Sequence, residues 1–292
     1  MKGQYSQAWR GIEALEGRVL LSLMFGADIS AAAKGGGGGG GGAGPAIRLD
    51  LVALHELGHS LGLGHTSNGS IMDPYYNAGY DLNSFASDPA VATLRSVYSN
   101  VNTSGWKDSA DATPTDGVVD ITYSFMPDGA RMDKGTSTGF ATFDKKFGDG
   151  VWEAMFAAQF ARWASVSKGK LAFTEVAETR AYAFNVFGAE QGDSRFGDIR
   201  IGVHRFDGVG KTLAHTYYPP PNGATAAGDS HYDDAENWVL SPGATAGTQT
   251  ATQSTAVFAN QTQIAASGEV RASDSLVASD SVGVFGKAED LF

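Results

Sequence analysis

Apolar residues recur at helical spacing in two separate parts of this chain. The first is LVALHELGHSL, residues 51–61, with Asp50 before it as an N-cap. The second is VWEAMFAAQFARWASV, residues 151–166, where Met155, Phe156, Phe160 and Trp163 share one helix face. Around them, residues 46–100 read as compact and helical, and residues 119–240 show mixed α/β patterning. Residues 101–118, VNTSGWKDSADATPTDGV, are polar and rich in turn formers, which predicts a linker. Residues 1–45 read as a leader ending in a second linker, because the unbroken glycines from Gly35 to Gly42 lose the most backbone entropy on ordering. Residues 241–292 are rich in Ala, Thr, Ser and Gln, with a near repeat of ASDSLV and ASDSVG at 272–283, and predict a low-complexity, loosely attached tail.

Composition narrows the picture. A chain of 292 residues with 42% hydrophobic positions can build one good-sized core. The formal charge of −11 argues against nucleic acid or an anionic membrane as partner and suits a protein that binds cations. The absence of cysteine excludes disulfides and any cysteine-based latency. No run approaches the ~18 apolar residues of a membrane span. The shorter run VLLSLMFGA at 19–27 has Arg10 and Arg18 upstream and SAAA downstream, as a signal-peptide core would, with Asp28 interrupting. The overlapping IEALEGRVLLS resembles the LEPR-XLL motif at the start of large exported bacterial proteins, with Gly17 where proline is usual. Both features imply a secreted or cell-surface protein.

The chemistry concentrates in HELGHSLGLGHTSNGSIMDP, residues 55–74. His55 and His59 lie four apart, on one helix face, with Glu56 beside them. Gly62 lets the chain leave the helix sharply and bring His65 back as a third nitrogen ligand. Three neutral imidazoles leave the fourth tetrahedral position open, which is the catalytic arrangement of zinc. If the three were ordinary core histidines, Gly62 and Met72 would have no evident purpose.

The pattern HExxHxxGxxH with Met72 seven residues further on resembles the metzincin zinc proteases, Met72 being the methionine turn under the metal. Thr66, and Pro74 with Tyr76 in PYY, narrow the resemblance to matrixins, the matrix-metalloprotease family. In that family the Pro-x-Tyr segment walls the specificity pocket. Leu51 takes the place of a residue facing that pocket. The resemblance implies an α+β fold with a twisted mixed sheet, an active-site helix and a C-terminal helix. It implies a zinc endopeptidase with protein or peptide substrates and Glu56 as general base.

The remaining matrixin-like segments come in a shifted order. VDITYSFMPDG at 119–129 resembles the family's first strand, and residues 151–176 its first helix and second strand. FGDIRIGVHRFDG and TLAHTYYPPPNGATAAGDSHYDDAENW resemble the later strands and metal loops, which ordinarily run straight into the zinc helix. The chain therefore reads as a circularly permuted matrixin domain, with 46–100 and 119–240 as its two parts and 101–118 joining the old termini. Two expectations follow. Asn237 and Trp238 should end beside Ala46 to Asp50, and segment 46–65 should pack on the strands containing 119–125 and 198–204.

By the same resemblance, the strand with Leu213 and Ala214 binds an extended substrate. His215 and His231 match ligands of a structural zinc, with His204 as a third candidate or all three as ordinary strand residues. Asp207, Gly208, Asp233 and Glu236 match one calcium site, and Asp198 and Asp229 match ligands of another; the alternative is solvated carboxylates. A non-catalytic binding module of an exported surface protein is the competing function, disfavoured by the complete set of His55, Glu56, His59 and His65. A monomer is expected, a domain-swapped dimer being the alternative.

Overall fold

The α/β-patterned residues assemble into one mixed sheet. The structure is a computed structural model describing residues 29–30, 44–67, 69–99, 105–108, 116–186, 191–219 and 226–241, all within one compact unit, Met1–Ala246. The signal-like run 19–27, the glycine run, most of 101–118 and the repeat-bearing tail lie outside the described residues.

The strands are β1 (Ile29–Ser30), β2 (Ile47–Arg48), β3 (Val119–Phe125), β4 (Leu171–Glu175), β5 (Ile199–His204), β6 (Thr212–Thr216), β7 (Ser230–Asp233) and β8 (Trp238–Val239). Six of them form a sheet in the order β1-β6-β7-β5-β3-β4. The inner pairs β7–β5, β5–β3 and β3–β4 are parallel, while β6 is antiparallel to β7 and β1 antiparallel to β6. Strand β5 is buried at every position, as expected of a parallel strand covered on both faces. The α+β character and mixed sheet agree with the fold class read from the sequence.

Three longer helices accompany the sheet: α1 (Leu49–Ser60), α2 (Pro89–Val97) and α3 (Val151–Val166). Every residue of α1 is buried, so this helix runs through the core rather than along the surface. It packs against α3, β6 and β7. The expected seat on 119–125 and 198–204 is largely taken by α3, whose aromatic face covers β3. Tyr123 stacks on Phe160 at 4.1 Å, and Phe125 meets Trp152 and Phe156 edge-on. Trp163 Nε1 donates to Leu54 O at 3.0 Å and locks α3 to α1.

Helix α1 starts two residues earlier than its sequence suggests. Arg48 occupies the N-cap, and Asp50 sits inside the first turn, where a negative charge favours the helix dipole. Asp50 instead pairs with Arg48 Nη2 at 2.6 Å and accepts a hydrogen bond from Ser241 Oγ at 2.5 Å. At the other end Gly62 takes φ 93°, its N–H bonds to His59 O at 2.8 Å, and Leu63 N–H bonds to Gly58 O at 3.0 Å. This is a Schellman ending, which turns the chain back toward the helix.

A second, two-stranded ladder joins the two parts of the chain. Ile47 pairs with Trp238 and Arg48 with Val239, in parallel. Asn237 Nδ2 also donates to Gly44 O at 3.0 Å. Part of the segment read as a linker is anchored in the core. Trp106 is buried and donates from Nε1 to Ser60 O at 2.8 Å, at the end of α1.

Candidate active site and metal centres

Helix α1 presents His55 and His59 on one face, and the turn at Gly62 returns His65 to them. One ligand nitrogen from each of the three lies within 4.8 Å of the others. Nδ1 of His55 faces Ile71 O at 2.7 Å, and Nδ1 of His59 faces Leu63 O at 2.6 Å. A carbonyl can only accept, so both Nδ1 atoms carry the proton. The two Nε2 atoms then hold bare lone pairs, and they stand 3.0 Å apart. Two acceptors cannot satisfy each other at that separation; a cation between them can, with the carbonyls fixing the rings. Nε2 of His65, half-buried, completes the set and has no hydrogen-bond partner. Burial pushes His55 down to about 3 and His59 well below its ordinary value, which keeps both neutral as ligation requires. The donor set fits zinc.

Met72 lies directly beneath this helix. It is fully buried, and a Cβ at Gly58 would run into its Sδ. The Met72 turn is held by the buried Asp88, the N-cap of α2, which accepts hydrogen bonds from Ile71 N at 2.7 Å, Ser70 Oγ at 2.5 Å and Tyr80 OH at 2.7 Å. Asp88 was not singled out in the sequence. Its signal was the Asp-Pro pair opening a helix.

Glu56 is fully buried, and its Oε2 accepts a hydrogen bond from Thr216 Oγ1 on β6 at 2.6 Å. Thr216 also reaches Ser230 Oγ at 3.0 Å, and Ser230 reaches Tyr232 OH at 2.8 Å. Beside His55 a pocket opens, lined by Leu51, Ile71, Tyr75, Tyr76 and Tyr80 among others. Leu51 and Tyr76 thus meet at one pocket. Pro74 falls between two of its lining residues, Asp73 and Tyr75, without lining it. Tyr76 OH accepts from Arg48 N at 2.9 Å, which ties the pocket wall to the start of α1.

The opposite face of the sheet carries a second group. His215 and His231 are cross-strand partners on β6 and β7, and His231 is opposite Gly202 on β5, two residues before His204. That register sends all three side chains to one face. Asp133 joins them, and one ligand atom from each of the four lies within 4.8 Å of the others. Asp133 Oδ1 is 3.1 Å from His204 Nε2. Neither ring nitrogen of the fully buried His231 has a hydrogen-bond partner, which a metal ion would explain. Burial pushes His215 down to about 4 and His231 well below its ordinary value. Burial alone would raise the Asp133 carboxyl, but the hydrogen bond to His204 and the neighbouring imidazoles outweigh it and hold it below its usual range. The sequence reading missed Asp133. The available signal was Gly202 inside a strand: a Cβ there would strike Met132, so the loop carrying Asp133 lies flat on the sheet.

The acidic residues divide between two environments. Asp207, Asp233 and Glu236 share a corner. Asp207 N donates to Asp233 Oδ2 at 3.4 Å, and Gly210 N to Glu236 Oε1 at 2.6 Å, with Gly208 at φ 89° in the turn between. Asp198 is engaged by Thr122 N and Oγ1, both at 2.8 Å, and Asp229 accepts from Arg200 N at 2.9 Å. Among the described residues, no three of these carboxylates bring ligand oxygens within 4.8 Å of one another. No helix of the described residues is long and apolar enough to cross a membrane.

Comparison with known proteins agrees with this chemistry. Over 40 residues the chain is 52% identical to stromelysin-2 of Rattus norvegicus, a match covering 14% of this chain and 8% of that protein. No solved structure matches. The sequence model of the family described as Matrixin matches residues 32–98 and 134–263, more than half of the chain. Two buried imidazoles on a helix, a third returned to them by the turn at Gly62, and Met72 beneath therefore sit in a chain that belongs to the matrixin family of metalloproteases.

Proposed function

We propose that this protein is an exported zinc endopeptidase built on a circularly permuted matrixin domain. The observation that carries the activity is the facing of His55 and His59 through bare Nε2 atoms 3.0 Å apart, with His65 as third ligand and Glu56 one residue away. Bound there, zinc supplies Lewis-acid activation of water and positive charge for the developing oxyanion. Glu56 takes a proton from the attacking water on its carboxylate and passes it to the leaving nitrogen. Thr216 holds Oε2 of that carboxylate and fixes its orientation. Strand β6, with Leu213 and Ala214, binds an extended protein substrate by main-chain pairing. The pocket of Leu51 and Tyr76 takes one substrate side chain. Asp133, His204, His215 and His231 hold a second, structural zinc. Calcium binds at the corner of Asp207, Gly208, Asp233 and Glu236, where three carboxylates meet a glycine turn and Glu236 Oε2 is buried without a hydrogen-bond partner, and Asp198 with Asp229 is the second candidate.

Three observations support the permutation. The order of matrixin-like segments is shifted, Ile47 pairs with Trp238 where an uncut chain would continue, and the family match falls in two blocks. The old termini are joined through 101–118, and loop-closure entropy grows only logarithmically, so the rearrangement costs about a kcal/mol.

Metal analysis with a peptide-library assay tests the reading. The wild type should hold two zinc ions and cleave peptides. His59→Ala should lose one zinc and all cleavage, and His231→Ala should lose the other zinc. Cleavage surviving in metal-free protein or in His59→Ala would refute it.

A further inference from the structure

Strands β6 and β7 carry different chemistry on their two faces. The alternation that sends His215 and His231 to the side of Asp133 sends Thr216, Ser230 and Tyr232 to the side of α1. Thr216 is the cross-strand partner of Ser230, and Ala214 that of Tyr232. Thr216, Ser230, Tyr232 and Glu56 are all fully buried.

The three hydroxyls stand in single file behind Glu56. Thr216 Oγ1 is 2.6 Å from Glu56 Oε2, Ser230 Oγ is 3.0 Å from Thr216 Oγ1, and Tyr232 OH is 2.8 Å from Ser230 Oγ. Each hydroxyl has one proton to give. The Thr216 proton goes to the carboxylate, the strongest acceptor in reach. Among the described residues, Ser230 Oγ is the one hydrogen-bond partner of Tyr232 OH, so the phenol donates to it; the reverse would bury an O–H without an acceptor. The Ser230 proton then goes to Thr216. Proton counting thus gives one direction, from Tyr232 through Ser230 and Thr216 to Glu56. Bonds run head to tail in a low-dielectric interior polarise one another, so each strengthens the next. Both ends of the file are anchored. The Tyr232 ring meets Phe156 of α3 edge-on at 5.0 Å and Trp238 of β8 at 6.3 Å. Ser60, one helical turn beyond Glu56, donates to Gly228 O at 2.8 Å, two residues before β7.

We infer that Ser230 and Tyr232 are positioning residues for peptide hydrolysis: through Thr216 they hold the Glu56 carboxylate in the orientation from which it takes the proton of the attacking water. The inference rests on the peptidase reading above and extends its machinery to two residues that act only through Thr216. Glutamate is a flexible side chain, and a misplacement of about 1 Å at a reacting group costs about 100-fold in rate. The file of hydroxyls removes that freedom before substrate arrives.

The test measures kcat and KM of the zinc-loaded full chain on a quenched fluorescent peptide that the wild type cleaves, with zinc content and Tm recorded for every variant. Thr216→Val keeps the shape and lacks the hydroxyl. Its kcat should fall about 10–100-fold while KM stays within about twofold. Thr216→Ser should restore most of that loss. Tyr232→Phe removes a single oxygen and should lower kcat about two- to tenfold, as loss of one hydrogen bond does, with zinc content unchanged. In the Thr216→Val background the same change should lower kcat no further, because Tyr232 reaches Glu56 only through Thr216. An equal fall in both backgrounds would overturn the positioning role, as would a Tyr232→Phe kcat equal to that of wild type. Activity lost only in step with zinc would assign the hydroxyls to folding and overturn it too. If Thr216→Val does not fold, Tyr232→Phe decides by the same kcat and zinc readouts. All of these failures leave the peptidase reading standing. A wild type that cleaves no library peptide would overturn both.

Discussion

Gly58 lies between His55 and His59 of α1, and its replacement sets two known magnitudes against each other. In an ordinary helix interior Gly→Ala stabilises by about 0.8–1.0 kcal/mol. At this position the new Cβ would collide with Met72 Sδ and approach Met72 Cε to 3.0 Å and Trp163 Cζ2 to 3.1 Å. Overpacking of this kind costs about 1–3 kcal/mol, so the clash wins, with a net loss of up to about 2 kcal/mol. For a domain of this size that lowers Tm by up to about 8 °C. The damage also reaches the site. Ile71, whose carbonyl holds His55 Nδ1, is the neighbour of Met72, so displacing the methionine loosens the ring. Outer-shell losses of this sort weaken metal affinity about 10–100-fold. Calorimetry and a zinc-chelator competition on Gly58→Ala measure both effects. Gly64→Ala is the control: nothing lies within 4 Å of its Cβ and its φ is not left-handed, so it should stabilise by about 0.4–1 kcal/mol. A Gly58→Ala protein that melts higher than wild type and holds zinc as tightly would refute the packing argument.

Three further outcomes follow. Arg200 and Glu178 form an ion pair with both side chains fully buried, Arg200 also donating to Ala183 O at 2.8 Å and Tyr182 O at 3.0 Å, so Arg200→Met should strand a buried carboxylate and cost about 3–5 kcal/mol in a denaturant titration. Burial, with Asp144 and Glu175 nearby, lifts Glu153 to about 7; the folded protein then holds a proton that the unfolded chain has lost between roughly pH 4.5 and 7, so this residue's contribution is complete at low pH and lost as pH rises through 7. Glu153→Gln should therefore raise Tm over wild type at pH 8 but not at pH 4.5. A chain reordered as 119–240, a short linker and 46–100 should keep the zinc stoichiometry and peptide cleavage of the natural order, and loss of both would count against the permutation.

The sequence was most legible where covalent spacing alone fixes geometry. His55, His59 and His65 meet because four residues make a helical turn and Gly62 permits a Schellman exit. Leu51 and Tyr76 reach one pocket for a related reason, both being carried by that helix and the turn packed under it. Less legible were contacts set by strand register or by loops folding across the sheet. Asp133 is 71 residues from His204 in sequence, and only the path of its loop over Gly202 brings them together. Trp106 looked like one apolar residue in a polar linker, but its indole N–H finds the carbonyl at the end of α1. Asp198 and Asp229 matched a pattern of metal-binding carboxylates, and the main-chain donors they also meet come from neighbouring strands that spacing along the chain does not reveal.

The proposed peptidase turns on Glu56, beside the histidine triad and held by Thr216, acting as general base. The most direct measurement compares peptide-library cleavage by wild type and Glu56→Ala at equal zinc content. Glu56→Ala should keep its zinc and its fold and lose activity by about 10²–10⁴-fold. Cleavage by the zinc-loaded variant at the wild-type rate would contradict it.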